Sequence, residues 1–256
     1  MHKASQMSKR IAPIFCCLAM LTNSVFSQAE EGHFATGLTE PVFDVTLSLA
    51  VPGIISTQRF KEGDFVLSNA VILELDKRLE ELEVERRKLI MANRKADWES
   101  TKMVFEKSAS VSHDEFLKKE LECKVAIADY ETAVQQLERR SLTAPGAGII
   151  AEISLRVGEA CSPYQPVARL VDTRQCYFIS NVEATEAARL KLGQQVQLEI
   201  EEAPAPVKVQ GQIIFLAPVV DKASGLQKVK VLFANPDGKV RPGLSGKMFI
   251  GQVDHG

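Results

Sequence analysis

The stretch that decides the fold is DKRLEELEVERRKLIMANRKADWESTKMVFEKSASVSHDEFLKKELECKVAIADYETAVQQLERRS, residues 76–141. It contains neither Pro nor Gly, although the whole chain has 11 Pro and 15 Gly. By count, 29 of its 66 residues are charged, 14 positive and 15 negative. A segment this charged and free of helix breakers is either disordered or helical, and its regularly spaced apolar residues favour helix.

Two apolar runs within this stretch predict two helices that pack on each other. The second run recurs in steps of three and four residues and comprises Phe116, Cys123, Ile127, Tyr130, Val134 and Leu137. This spacing places one apolar seam along a helix. The first run has the same rhythm, at Leu75, Leu79, Leu82 and Leu89, with Arg86 and Asn93 also falling on the predicted seam. Farther along the first helix, Trp98, Met103 and Phe105 do not fit a single stripe.

The break between the two runs is KSASVSHDE, residues 107–115. Ser110 or Ser112 can cap the second helix, and Ser112 with Glu115 has the spacing of a capping box. We therefore expect an antiparallel hairpin of two helices of about 30 residues, each roughly 45 Å long at 1.5 Å per residue.

The N-terminus has the pattern of a secretory signal. A basic pair precedes an apolar run over residues 11–21, and small residues follow it. Residues 1–27 are therefore assigned to a signal peptide, with cleavage after Ser27 or else after Ala29. The apolar run is short for a membrane span, which takes about 20 residues. The same pattern also leaves open an uncleaved membrane anchor or a lipoprotein signal ending at Cys16 or Cys17.

Composition excludes several classes of function. An apolar content of 45% and a charged content of 25% are typical of a globular protein. A net charge of −2 gives no basic surface for nucleic acid. Outside the signal, Cys123, Cys161 and Cys176 form neither a disulfide framework nor a metal-binding spacing, so we expect buried, unreactive thiols.

The segments that flank the hairpin repeat each other at an offset of 95 residues. Gly53-Ile54-Ile55 matches Gly148-Ile149-Ile150, and ten residues on Gly63-Asp64 matches Gly158-Glu159. Each half also closes on an Asp after an apolar run, at positions 76 and 172. Each half alone is too small to bury a core. The repeat therefore predicts that the halves pair into one β-domain, with the hairpin inserted between them.

From Arg174 onward the sequence changes to longer alternating runs. CYFISNVE and QQVQLEIEE are typical of strands, and ATEAARLKL between them of a short helix that ends at Gly193. Three more strand-like segments follow, and the last two are separated by an NPDG turn at residues 235–238. Several strands with turn signals and one short helix predict a small antiparallel barrel.

These features together resemble the periplasmic adaptor family, also called membrane fusion proteins, of the hemolysin-D-like type. The matching residues are the two repeat halves, the hairpin between them, and the tail segments GQIIFLAPVVD (211–221) and NPDGKVRPGLSG (235–246). The resemblance covers roughly residues 36–253. It implies a mainly β chain with a long α-helical hairpin: a lipoyl-like β-sandwich split by an antiparallel coiled coil and followed by a small antiparallel β-barrel.

The resemblance also divides the chain into domains. These are a signal peptide (1–27), a lead-in strand of the barrel region (28–46), the lipoyl-like halves (47–75 and 142–172), the hairpin (76–141) and the barrel (173–256). Family members usually add a membrane-proximal domain built from both chain ends, which we expect to be absent here. Efflux adaptors often carry Arg, then Leu four residues on, then Ser seven further, at the hairpin tip. Here Thr101 and Phe105 occupy the first two positions and only Ser112 matches.

The strongest indication of an enzyme-like role is Asp76-Lys77, because true lipoyl carriers bear a modified Lys after Asp in a tight turn. In such carriers the second half follows within a few residues, whereas here a long helical segment intervenes. Lys77 is therefore interpreted as an ordinary residue at a helix N-terminus. The four His residues are not paired at metal spacing, and no phosphate loop or nucleophile elbow occurs. We expect no catalytic activity, no metal and no cofactor.

The resemblance implies that the protein functions by bridging other proteins rather than by catalysis. A periplasmic adaptor links an inner-membrane exporter of the RND or ABC type to an outer-membrane channel, assembles into a ring and associates with the inner membrane. The expected channel contact is the hairpin tip, with Ser108, Ser110, Val111, Ser112, His113 and Glu115. The alternative is a stand-alone periplasmic scaffold or binding protein that keeps the adaptor fold.

Overall fold

The structure is a computed structural model, and it describes residues 33–108 and 110–251. The predicted signal peptide lies outside these residues. The fold is mainly β with one helical hairpin, as expected. In chain order the elements are β1 (Phe34–Ser48), β2 (Gly53–Gln58), β3 (Phe65–Val66), β4 (Val71–Leu75), α1 (Arg78–Ser108), α2 (His113–Glu138), β5 (Ser141–Thr143), β6 (Gly148–Ile153), β7 (Ala160–Cys161), β8 (Pro166–Glu183), α3 (Ala184–Ala187), β9 (Gln195–Ile200), β10 (Val207–Leu216), β11 (Leu226–Ala234) and β12 (Ser245–Phe249).

Within the described residues, six strands close into an antiparallel barrel. Their order is β1-β12-β9-β10-β11-β8, and β8 pairs back onto β1. Alternate residues point inward, and the fully buried ones include Phe178, Leu198, Ile200, Ile213, Phe233 and Met248. Gly37 on β1 lies opposite Gly246 on β12. A Cβ at Gly37 would lie 2.3 Å from the carbonyl oxygen of Ile179, so only Gly permits the close strand approach there.

The two repeat halves pair into one β-domain, as the repeat predicts. We call this domain, residues 47–75 and 142–172, the split β-domain. The short strand of each half pairs with the Gly-Ile-Ile strand of the other half, as β2–β7 and β3–β6. The core of this domain is separate from that of the barrel and draws on both halves; its fully buried side chains include Ile55, Ile72, Leu73, Leu75, Ile150 and Leu170.

Equivalent backbone hydrogen bonds link the two halves of the split β-domain. The N–H of Gly158 donates to the carbonyl of Ile55, at 2.8 Å, and the N–H of Gly63 donates to the carbonyl of Ile150, also at 2.8 Å. Both Gly residues have positive φ, +88° at Gly63 and +92° at Gly158. The repeated Gly-acid pair is therefore a turn that requires Gly and that presents its N–H to the opposite half.

Two long strands, β1 and β8, belong to both the barrel and the split β-domain. They pair from Gly37 and Ser180 in the barrel to Ser48 and Pro166 in the split β-domain. The register shifts once near the crossing point, between Pro41 and Phe43, where β8 carries the extra residues. A bulge of this kind bends the strand without interrupting the sheet.

The helix predicted over ATEAARLKL is shorter than expected, because α3 ends at Ala187. The following residues form tighter turns, in which Leu190 N–H donates to the Ala187 carbonyl at 3.1 Å. Gly193 lies in a turn with a φ of +84°. None of the described helices is both long and apolar enough to cross a membrane.

Candidate docking surface of the hairpin

The inward face of α2 carries the seam that the sequence predicts. Cys123 is buried, and Ile127, Tyr130, Val134 and Leu137 are half-buried against α1. Two alanines are also buried on this face, Ala126 and Ala133. Their small side chains allow the two helices to approach closely, and the spacing of the large apolar residues does not reveal them.

The predicted seam of α1 is wrong. Leu79, Leu82 and Leu89 are 78%, 69% and 63% exposed, and Arg86 and Asn93 are exposed as well. Leu75 is buried, but it belongs to β4 and to the core of the split β-domain. The face toward α2 instead follows a parallel series in steps of four and three, comprising Glu80, Val84, Arg87, Met91, Arg94, Trp98, Thr101 and Phe105. None of the side chains of α1 is fully buried.

Charged residues on this face of α1 are paired across the hairpin. Arg87 donates to Asp129 of α2 at 2.6 Å, and Arg94 approaches Glu122 of α2 at 3.3 Å. Glu83 accepts hydrogen bonds from Arg86 and then Arg87, which together lower its pKa to about 2. The carboxylate therefore stays charged at neutral pH and holds Arg87 in place for its contact with Asp129.

The far end of the hairpin is closed by an aromatic stack. The rings of Phe105 and Phe116 stack with centroids 5.0 Å apart, and the His113 ring lies 6.0 Å from Phe105. Phe105 and Trp98 do not continue the stripe of Leu79, Leu82 and Leu89 that the sequence suggests. Both are half-buried and lie on the face of α1 toward α2. Thr101, the other non-matching position of the docking motif, donates from its hydroxyl to the Asp97 carbonyl at 2.8 Å. Of the two non-matching residues, Phe105 therefore contacts α2, whereas the Thr101 hydroxyl bonds within α1.

The six predicted tip residues lie at the far end of the hairpin: Ser108 ends α1, the next three lie in the turn, and His113 and Glu115 are in the first turn of α2. Ser112 caps α2, because its Oγ accepts from the N–H of Glu115 at 3.2 Å. Ser108 donates to the Val104 carbonyl at 3.0 Å. The side chains of five of the six are exposed, and Val111 is half-buried. The tip thus presents hydroxyls, one imidazole and acidic groups on a short, capped turn.

Lys77 lies just before α1 and is engaged by acidic residues. Its Nζ lies 2.6 Å from Glu74 and 3.8 Å from Glu81. The hydrogen bond from Lys77, and then that from Arg59, lower the pKa of the Glu74 carboxyl. Lys77 stands at a helix start rather than in a tight turn between strands, so the geometry of a carrier lysine is not formed here.

The three cysteines of the described chain are buried and unpaired. Burial raises the pKa of Cys161 and brings that of Cys176 to about 11, which disfavours the reactive thiolate. Among residues 33–108 and 110–251, no three His, Cys, Asp or Glu side chains are grouped to hold a metal ion.

Comparisons with known proteins agree with this architecture. Residues 179–253 match the CusB-like β-barrel domain. The multidrug resistance protein MdtE of Escherichia coli K12 is 25% identical to the chain, over 92% of the chain and 73% of MdtE. Of the solved structures, a MacA–MexA chimera that contains the Pseudomonas aeruginosa MexA α-hairpin superposes with a TM-score of 0.73 at 18% identity, covering 87% of this chain and 83% of the chimera.

The fold is also shared with a protein whose structure is described as a membrane fusion protein, Spr0693 of Streptococcus pneumoniae R6. The TM-score is 0.66 at 14% identity, covering 84% of this chain and 97% of Spr0693. At these identities the structural matches establish the fold, whereas the MdtE relationship and the barrel-domain match rest on sequence. The split β-domain, its inserted hairpin and its CusB-like barrel thus make the chain similar, in fold and in sequence, to the membrane fusion proteins, the periplasmic adaptors.

Proposed function

We propose that the protein is the periplasmic adaptor of an export complex and links an inner-membrane exporter, of the RND or ABC type, to an outer-membrane channel. The observation that carries this proposal is a long helical hairpin inserted into a β-domain, with six tip residues, five of them polar, gathered at its far end. The similarity to adaptor proteins supports a location in the cell envelope. The function is mechanical, and the split β-domains and barrels of neighbouring copies would pack side by side in a ring.

In this proposal the tip is the channel contact. Ser110 and His113 are exposed there, and Ser112 combines exposure with its role as helix cap. The exposed hydroxyls offer donors and acceptors to backbone groups of a partner, as in a polar interface rim. The arm beside the tip also leaves apolar side chains exposed, Met103 at 54% and Leu117 at 45%.

Photo-crosslinking in cells tests the contact. A crosslinking amino acid replaces Ser110, and a matched control replaces Glu85, an exposed residue near the other end of α1. We expect the Ser110 variant to capture an outer-membrane channel protein and the Glu85 variant not to capture it. Failure of the Ser110 variant to capture a channel, in cells that make one, would count against the proposal.

A second candidate is a stand-alone periplasmic scaffold with the same fold. The departure of Thr101 and Phe105 from the efflux docking motif favours it, because Phe105 stacks on Phe116 of α2 and the Thr101 hydroxyl bonds within α1. Co-purification from membranes discriminates between the two: an adaptor should bring an exporter with it, whereas a scaffold should be recovered without one.

A further inference from the structure

The hairpin is attached to the split β-domain by a narrow joint. The chain crosses it twice, at Asp76-Lys77 on the way out and at Arg139-Arg140 on the way back. Two backbone hydrogen bonds hold the crossing, from Leu75 N–H to the Arg140 carbonyl and from Asp76 N–H to the Ile54 carbonyl, both at 2.8 Å. Two bonds close together constrain tilt weakly, and a small rotation is amplified by the length of the arm. A 10° tilt moves the end of a helix of roughly 45 Å by about 8 Å.

One side chain spans this joint. The guanidinium of Arg140 donates through Nη2 to Glu80 in the first turn of α1, at 2.5 Å. It also donates through Nη1 to the carbonyl of Pro52 in the split β-domain, at 2.9 Å. Both side chains of the ion pair are sheltered, with exposed fractions of 23% for Arg140 and 18% for Glu80. A forked, planar donor of this kind can hold two acceptors at fixed directions.

The local backbone leaves room for this contact. A Cβ at Gly53 would lie 3.1 Å from Nη1 of Arg140 and 3.0 Å from Cδ1 of Leu75. The first Gly of the repeat, Gly53, therefore leaves space for the Arg140 guanidinium at the joint, in addition to its place in strand β2. By contrast, the nearby Lys77 contacts Glu74 and Glu81, which both belong to the outgoing crossing, so these pairs do not link the two crossings to each other.

The geometry points to Arg140 as the residue that sets the direction of the hairpin, by clasping α1 and the split β-domain at the same time. It is a positioning residue: it lies at the base of the hairpin and determines where the tip lies. The inference depends on the fold alone, so it stands or falls independently of the proposed export role.

Distance measurements on the purified protein test it. Nitroxide labels are attached through azide-bearing amino acids at Lys118 on α2 and at Ser162 in the split β-domain, both exposed. Lys118 lies 20 residues before the end of α2, about 30 Å along the helix, so each additional 10° of tilt displaces it by about 5 Å. The variant Arg140→Met keeps the aliphatic stem and removes both hydrogen bonds. We expect its distance distribution to broaden by about 5 Å or more, with unchanged helix content by circular dichroism.

The matched control is Arg139→Met, which removes a neighbouring exposed charge that makes no ion pair with a described residue. Its distribution should equal that of the wild type, and Arg140→Lys should fall between the two. An Arg140→Met distribution as narrow as the wild type would overturn the inference. If Arg140→Met loses helix content, Glu80→Met decides instead: it should broaden the distribution to a smaller extent, and an unchanged width would overturn the inference equally.

Discussion

Asn235 holds the bulge at which the barrel meets the split β-domain, and replacing it with Ala tests how much that junction depends on one side chain. The side chain is buried, with 5% of its surface exposed. Its Nδ2 donates to the Thr173 carbonyl at 2.9 Å and to the Val240 carbonyl at 2.8 Å, and its Oδ1 accepts from the Val240 N–H at 3.0 Å. Thr173 lies within the irregular stretch of β8 where the register shifts against β1.

The expected loss follows from these three hydrogen bonds. Each contributes about 1 kcal/mol net, and truncation leaves three backbone groups without their partner. We therefore expect Asn235→Ala to lower the free energy of unfolding by about 3 kcal/mol. For a chain of this size, that corresponds to a fall in Tm of about 6–12 °C.

Urea unfolding followed by far-UV circular dichroism measures the change. The control is Asp237→Ala in the same turn, where the carboxylate pairs with Lys239 at 2.9 Å but both side chains are largely exposed. Such a surface change should stay within about 0.5 kcal/mol. Asn235→Asp should destabilise at least as much as Asn235→Ala, because a carboxylate cannot donate to the two carbonyls. A loss of under about 1 kcal/mol for Asn235→Ala would refute the reasoning.

Three further predictions concern other parts of the molecule. Ser112→Ala removes the α2 cap and should cost about 1 kcal/mol, with faster amide exchange in the first turn of α2 by mass spectrometry. Hydrogen bonds from Lys77 and then Arg59 lower the pKa of Glu74 from 4.5, so the stabilisation from these pairs is complete above about pH 4.5 and is lost as the pH falls through the lower folded value. Acid unfolding of Glu74→Gln should therefore depend less on pH below 4.5 than that of the wild type. Burial raises the thiol pKa of Cys176 to about 11, so iodoacetamide at about pH 8 should modify this residue in urea and not in the native protein, as peptide mapping will show.

The sequence predicts the architecture well where two independent patterns agree. The 95-residue repeat predicts the interlocked β-domain, because matched Gly-Ile-Ile strands and matched Gly-acid turns can be compared with each other. The structure adds what spacing does not show: Ile54 and Ile149 face outward, whereas Ile55 and Ile150 are buried.

The hairpin shows where periodicity fails. Leu79, Leu82 and Leu89 recur at helical spacing, yet they lie on the face of α1 opposite to α2. A helix can carry two stripes of the same period, and their spacing does not state which one meets the partner helix. The true seam contains Arg87 and Arg94, which pair with acidic residues of α2 far away in sequence as well as with acidic residues of α1. Periodicity within α1 alone therefore favours the more apolar stripe.

The hairpin tip and the joint also differ in how far the sequence predicts them. The cap at Ser112 depends on residues three apart and was predicted from sequence. The joint at Arg140 depends on Pro52 and Glu80, which are 88 and 60 residues away from it. The contact between the hairpin tip and a channel depends on a surface of another molecule and stays a prediction.

The shared strands β1 and β8 determine how the molecule carries load. Domains joined by a linker swivel about it, whereas here the hydrogen-bonded ladder of β1 and β8 continues from one core to the other through the register shift between Pro41 and Phe43. A force on the tip, once the joint at Arg140 transmits it, would therefore reach the barrel through hydrogen-bonded strands rather than through a linker. We therefore expect the barrel and the split β-domain to move together. Motion of the hairpin relative to them should occur mainly at the joint around Arg140.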